Sequence, residues 1–300
     1  MSTKEQWLRE REVTEVECLV PDLNGIGRGK ILPAAKFVRS IAEDGPRLPE
    51  YVFIQTVTGD YVDEDQRTMA DLALRDMRLR PDPASLRLVP WYDEPTAQVI
   101  SDCVHHDGNP VLIAPRQVLR RVLQAYAARG WQPVVAPELE FFLTRINEDP
   151  DYPLAPPLGR SRRPESARQS YGIEAVNEFD PIFEDVYDWC ETQAIDIDTL
   201  SHEAGAAQME INFNHGDPLE LADQAFLFKR TLRQAAIRHG MYATFMAKPM
   251  ENEPGSAMHV HQSVLDAATG ENLFAAPGED VSPLWPPSGS ANRLSPVSRS

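Results

Sequence analysis

The sequence predicts an α+β fold, because strands and capped helices mix along it without a βαβ rhythm. Three observations carry this. Residues 1–108 hold short strand-like pieces split by Pro, Gly and Asp turns, with little helical signal after the first dozen residues. From Pro115 onward, three amphipathic helices carry recognisable start or stop residues. Between and after those helices lie apolar runs of period two, the mark of half-buried strands.

In the first part, VTEVECLVPD, YVFIQTVTGDY, SLRLVPW and AQVISDCV predict strands of a small β-rich domain that ends near residues 105–110, HHDGNP. A helix follows, with Pro115 in its first turn and Gly130 as its stop. Val118, Leu119, Val122, Leu123 and Tyr126 share one of its faces. A strand is expected at 133–143. Residues 146–172 are rich in Pro and Arg without a period and predict a mobile loop. Its Arg160, Arg162, Arg163 and Arg168 suit either a phosphate clamp or a solvated surface. Asp180-Pro181 opens a second helix bearing Ile182, Phe183, Val186, Trp189 and Cys190. Asp217-Pro218 opens a third that stops at Gly240, with strands expected at 206–214, 241–248 and 257–264. The expected organisation is an N-terminal domain over 1–108, a second domain over 109–284 and a separate tail over 285–300.

Composition narrows the function. With 300 residues and 42% hydrophobic content, the chain can build a real core. A net charge of −17 argues against nucleic-acid and membrane-surface partners, both polyanions. Cys18, Cys103 and Cys190 are odd in number and far apart, which favours a reducing cytoplasm over a disulfide scaffold. MSTKEQWLRERE lacks the apolar core of a signal peptide, and no apolar stretch is long enough to cross a bilayer.

Some familiar motifs fail. In Leu23–Ile31, Asn24 stands where a Walker loop needs its first Gly, and Ile31 replaces the Mg²⁺-binding Ser or Thr. A Gly-rich turn between strands is the expectation there. No G-x-S-x-G elbow is present.

Three strands carry the chemistry. Residues i and i+2 share a face. In PELEFF, Glu138 and Glu140 therefore lie on one face, with Leu139, Phe141 and Leu143 on the other. In residues 208–214, Gln208, Glu210, Asn212 and Asn214 oppose Met209, Ile211 and Phe213. In residues 258–264, His259, His261 and Ser263 share a face. A wet outer face would collect Lys, Arg and Thr, whereas these carry only Glu, Gln, Asn, His and Ser. Adjacent glutamates repel unless something positive lies between them. Mg²⁺ or Mn²⁺ supplies that charge. Four glutamates, Glu203 included, and one histidine exceed the needs of one Mg²⁺. Two ions a few ångströms apart fit better, and such pairs serve phosphoryl transfer.

PELEFF, His202-Glu203-Ala204-Gly205-Ala206-Ala207-Gln208-Met209-Glu210 and Gly255-Ser256-Ala257-Met258-His259-Val260-His261-Gln262-Ser263 occur in the order and spacing of the glutamine synthetase family. The sequence resembles that family from about Asp22 to Leu284, and most closely the branch joining glutamate to polyamines or other amines. The resemblance implies a β-grasp-like N-terminal domain, a catalytic domain built on an antiparallel sheet with flanking helices, and homo-oligomeric rings. It implies an ATP-dependent ligase that forms γ-glutamyl phosphate, which an amine then attacks. By the same resemblance Glu140, Glu203 and Glu210 hold one metal, and Glu138 and His259 the other. Gly255 would approach the amino-acid substrate, while His261 and Ser263 would meet the nucleotide.

Two departures shape this expectation. Ammonia-using members carry Asp-Gly-Ser in the N-terminal domain, but the matching stretch here, VFIQTVTGD at 52–60, lacks that Asp. A larger amine is therefore expected, with ammonia as the alternative acceptor. After Pro283-Leu284 the sequence becomes WPPSGSANRLSPVSRS, rich in Ser, Pro and Arg, which predicts a disordered, non-homologous tail. The family's flap glutamate, its substrate arginines and the last carboxylate of the second metal are not found in this sequence. The expectation is a C-terminally shortened chain with an incomplete second metal site and weak or no turnover, or a non-catalytic protein that binds metal and nucleotide.

Overall fold

The computed structural model describes residues 3–61, 75–149, 151–166 and 169–275. The described residues form a mixed α and β fold, and the chain divides into two units, Met1–Ala125 and Tyr126–Ser300. The predicted tail and Arg168 lie outside the described residues.

In the first unit, β1 (Glu15–Pro21) is buried along nearly its whole length, Glu17 included. It pairs antiparallel with β2 (Gly27–Pro33) and parallel with β6 (Thr96–Val104). Two further strands, β4 (Asp76–Pro81) and β5 (Arg87–Val89), lie antiparallel on β6, and β3 (Arg47–Pro49) closes the sheet on β4. Helices α1 (Thr3–Glu10) and α2 (Ala34–Glu43) precede and follow the β1–β2 hairpin. Val16, Val20, Phe37, Phe53, Met77, Leu79 and Val99 form the core.

The Gly-rich segment is the β1–β2 turn and the start of β2. The Asp22 carboxylate accepts the N–H groups of Asn24 and Ile26, each at 2.8 Å. Gly29 has φ +156°, and a Cβ there would fall 1.9 Å from the Cys18 carbonyl oxygen. The chain's own pairing accounts for this glycine without a phosphate.

Two expectations change. Residues Glu50–Ile54 form a 3₁₀ helix instead of a strand. Val52 and Phe53 are both buried, and adjacent strand residues would point to opposite faces. Helix α3 (Pro115–Ala127) forms where expected, yet Val118 and Val122 are 43% and 47% exposed while Arg116 is 5% exposed. Arg116 donates to Asp82 and Asp102, both at 2.7 Å, and Arg120 reaches Asp102 at 2.9 Å. Burial opposes ionisation of Asp82, but the Arg116 hydrogen bond and the Ala84 N–H hold it below the usual carboxylate range. An ion network, not an apolar stripe, anchors this helix to β6.

The second unit is organised on β7 (Trp131–Arg145), which pairs with other strands along both of its own edges. One edge pairs with β9 (Gln208–Phe213), and β9 with β8 (Ile197–His202). The other edge takes β11 (Met258–Asp266) along residues 131–139 and β10 (Met241–Thr244) along 142–145. Leu139, Phe141, Leu143, Met209, Ile211 and Phe213 are all buried on the predicted apolar face. Helix α6 (Pro218–Arg238) packs there, with Phe228 edge-on to Phe213 at 5.4 Å. Its start is fixed as its sequence predicts: the Asp217 carboxylate accepts the N–H groups of Leu219 and Glu220, and Pro218 fills the first turn. Helix α5 (Asp180–Thr192) joins α6 through a buried bond from Gln193 Nε2 to Thr231 Oγ1, 2.9 Å. A short helix, α4 (Ile173–Asn177), precedes it.

These placements set expected costs. Phe141→Ala should destabilise the chain by about 3–5 kcal/mol through lost burial and a residual cavity, and Asp217→Ala by about 1 kcal/mol through the lost cap. Urea unfolding measures both. Equal costs would contradict the burial described.

Candidate functional site

Register brings the polar faces together. Glu138 lies opposite Asn212 on β9 and His259 on β11, and Glu140 lies opposite Glu210. Directly opposed residues in an antiparallel pair share a face. Glu138, Glu140, Glu210 and His259 are therefore neighbours on one side of the sheet, opposite the buried apolar face. Glu203 joins them from the β8–β9 turn, within electrostatic reach of Glu140 and Glu210.

Among the described residues, ligand atoms of Glu138, Glu210 and His259 all lie within 4.8 Å of one another. The structure thus brings together groups that the family resemblance assigns to two neighbouring ions, Glu210 to one and Glu138 and His259 to the other. His261 Nε2 meets Glu138 Oε2 at 2.6 Å, and His259 Nδ1 meets Glu138 Oε1 at 3.3 Å. One carboxylate thus faces two imidazoles, both substantially exposed.

The electrostatics follow from crowding. Glu138 and Glu210 are hydrogen-bonded to each other. Two carboxyl groups can share such a bond only when one carries a proton. Burial, the Glu138 bond and the charges of Glu138, Glu203 and Glu140 push Glu210 up to about 8. Burial also opposes ionisation of Glu138, but the Glu210 bond and the two imidazoles hold it below the usual range. Burial and the charges of Glu203 and Glu138 raise Glu140, against the Ala257 N–H that it accepts. The donor set fits a hard divalent cation. It offers carboxylate oxygens and one or two imidazoles, and its crowded carboxylates call for positive charge.

Gln208 is the member that residue-type reasoning placed on the polar face without a role. Its Nε2 donates to Glu140 Oε2 at 3.1 Å and to the Gly255 carbonyl at 2.9 Å, and its Oε1 accepts the Gly205 N–H at 2.9 Å. This buried amide ties β7, the β8–β9 turn and the 255–257 segment together. Gly255 joins the cluster through that bond. A Cβ there would lie 2.8 Å from the Ala247 carbonyl oxygen, so backbone packing alone requires glycine. Ser263 is 1% exposed, and its hydroxyl has no partner among the described residues. By register it lies opposite Val134, on the Glu138 face but four residues back along β7.

His202 is wholly buried, with Nδ1 at 2.6 Å from the Glu203 carbonyl oxygen and Nε2 at 3.0 Å from Glu165 Oε2. The Glu203 carbonyl can only accept, so Nδ1 carries a proton. Burial opposes a positive charge on the ring, but the Glu165 hydrogen bond and the charges of Glu165 and Glu203 raise His202 above its ordinary value.

A sheet that mounts carboxylates and a histidine on one face, backed by helices, defines a class of cation-binding catalytic domain. The comparisons identify it: the glutamine synthetase catalytic domain matches residues 112–285, and the chain belongs to the glutamine synthetase family. Enzymes of this family use ATP and divalent metals in general. Gamma-glutamylputrescine synthetase of Escherichia coli (strain K12) is 36% identical over 272 residues, covering 90% of this chain and 57% of that protein. Glutamate–isopropylamine ligase of a Pseudomonas species is 34% identical over 257 residues, covering 85% and 55%. The apo GmaS structure superposes with a TM-score of 0.74 at 26% identity, covering 93% of this chain and 60% of that one. The chain thus spans a little over half the length of these curated relatives.

Two outcomes follow. In chelator, the folded chain holds the Glu210 proton up to about pH 8, whereas an unfolded glutamate releases it near 4.5. The folded state binds more protons between those values, so its stability falls as pH rises through that window. Thermal midpoints from pH 5 to 8 should drop more for the wild type than for Glu210→Gln. Equal slopes would contradict the shared proton. Gln208→Ala strips partners from the Gly205 amide and from Glu140 and should cost about 1–3 kcal/mol in urea unfolding.

Proposed function

We propose that the chain is the metal-bearing portion of an ATP-dependent ligase that joins the γ-carboxylate of glutamate to an amine through γ-glutamyl phosphate. The convergence of Glu138, Glu140, Glu203, Glu210 and His259 on one sheet face carries this reading. Relatives named for putrescine, isopropylamine and ethanolamide support an amine larger than ammonia. Relatives named glutamine synthetase keep ammonia as the rival acceptor.

In this reading Glu140, Glu203 and Glu210 hold one Mg²⁺ or Mn²⁺, and Glu138 and His259 hold a second. The bound cations supply charge compensation for the transferring phosphoryl group. The chain's residues supply position. The β7 backbone fixes Glu138 and Glu140, and Gln208 orients the Glu140 carboxylate through its 3.1 Å bond. His261 is placed against Glu138 at 2.6 Å, where it orients that carboxylate, and in this reading it would meet the nucleotide. Gly255 presents backbone to the glutamate substrate. The role first given to Ser263, contact with the nucleotide, has weaker support because its hydroxyl is buried.

Three further expectations belong here. The parallel β1–β6 pair at the centre of the first sheet, with antiparallel strands outside it, supports a β-grasp-like arrangement. Rings of the whole protein are expected from the family. The three free, buried thiols agree with a reducing cytoplasm. No helix among the described residues is long and apolar enough to cross a membrane.

Phosphate release from ATP and glutamate, measured with putrescine, isopropylamine, ethanolamine and ammonia, tests the reading. An alkylamine should support turnover well above ammonia, and Glu140→Gln should lower it by about 10²-fold or more. Turnover with ammonia alone selects the rival. Binding of Mn²⁺ and ATP without phosphate release selects the non-catalytic reading for this chain.

A further inference from the structure

Glu165 lies in the irregular 146–172 segment, outside every motif that the carboxylate cluster uses. Its carboxylate nevertheless reaches the β8–β9 turn. Oε2 accepts the Ala207 N–H at 2.6 Å and meets His202 Nε2 at 3.0 Å. The opposite ring nitrogen of His202 donates to the Glu203 carbonyl oxygen at 2.6 Å. One carboxylate–imidazole pair therefore holds both ends of residues 203–207. The same segment is tied a second time, since the Tyr171 N–H donates to the His202 carbonyl at 2.9 Å.

That turn needs an external hold. Glu138 and Glu140 are mounted on β7 and Glu210 on β9, but Glu203 stands just beyond the end of β8. A strand fixes its side chains through the ladder on both sides, whereas a turn does not. Ala207 also sits at φ +55°, a left-handed conformation that a residue with a Cβ adopts only when its surroundings impose it. The Glu165 bond falls on that residue's own N–H. Burial makes the hold firm: the His202 side chain is fully buried, and that of Glu165 is 13% exposed.

We propose that Glu165 and His202 are positioning residues that set the Glu203 carboxylate for a divalent cation. The inference rests on the metal reading given above. A purely architectural pair would move stability alone. A positioning pair moves the affinity of the cation that Glu203 touches and leaves the cation at His259 unaffected.

Mn²⁺ calorimetry on the full chain separates the two, with Glu203→Gln marking which binding event involves Glu203. Glu165→Ala and His202→Asn should weaken that same event by about 10–100-fold and leave the other within about twofold. Glu165→Gln keeps an acceptor for the Ala207 N–H but loses the charge opposite His202, so it should weaken the event less. Amide exchange at Ala207 should speed up in Glu165→Ala while protection across β7 and β9 stays unchanged. Unchanged Mn²⁺ affinities in folded variants overturn the proposal. So does a parallel loss of both binding events with a lowered urea midpoint, which marks a structural role. If Glu165→Ala does not fold, Glu165→Gln carries the test, and wild-type affinity in it overturns the proposal. A wild-type chain that binds no Mn²⁺ brings down the metal reading itself, and this inference with it.

Discussion

Like charge confined to one face of a stiff sheet is the constraint on which the second unit depends. Cross-strand pairing sets Glu140 opposite Glu210 and Glu138 opposite His259, and the ladder gives none of them room to retreat. Four carboxylates at this density repel one another, so the structure must supply positive charge or keep protons. Burial and the neighbouring carboxylates push Glu210 up to about 8, which favours its protonated form, and His259 and His261 stand against Glu138 from the exposed side. Proton and cation answer the same electrostatic demand at the same oxygens, so this donor set is built to exchange one for the other.

The opposite face of the sheet is what makes that crowding sustainable. Leu139, Phe141, Leu143, Met209, Ile211 and Phe213 are fully committed to the core under α6. Slipping a strand by one residue would relieve the carboxylates but would move all of these side chains to the polar side. Burial of several large side chains, at roughly 1.5–3 kcal/mol each, outweighs the repulsion of a partly protonated cluster. Gln208 and the Glu165–His202 pair complete the frame where strands end. They restrain the 203–207 turn and the 255–257 segment by hydrogen bonds, as the ladder restrains Glu138 and Glu140.

Where a local period decided the structure, the sequence was readable. Alternation in PELEFF and in residues 208–214 placed Glu138, Glu140 and Glu210 on a common face, and Asp217-Pro218 marked the start of α6. Elements decided by tertiary pairing were not readable. The strand β2 is mostly exposed and carries Gly and Lys, so it exists because β1 pairs with it and not through propensity. Helix α2 starts without a side-chain cap, and the 3₁₀ helix at Glu50–Ile54 follows two adjacent buried residues that mimic a strand. Arg116 on α3 was hidden for a similar reason: a buried arginine is legible only once Asp82 and Asp102 are known to face it. Glu165 gave no signal either, because its partners His202 and Ala207 stand 37 and 42 residues away within an unpatterned stretch.

In the proposed reading, cation binding and turnover make different demands on this fold. Every group in the cation cluster lies between Glu138 and His261, on strands of one sheet and the turn that joins two of them. The framework that orients those groups, from Gln208 to Glu165, lies within the same stretch of chain. A donor set supported in this way is complete in its own supports. Phosphoryl transfer asks for more, because donors must also meet the charge that develops on the transferring group and its leaving oxygen. The chain spans 57% of the length of the putrescine-type relative. In the proposed reading, cation affinity at the 138–261 cluster follows from the strand register that crowds its carboxylates.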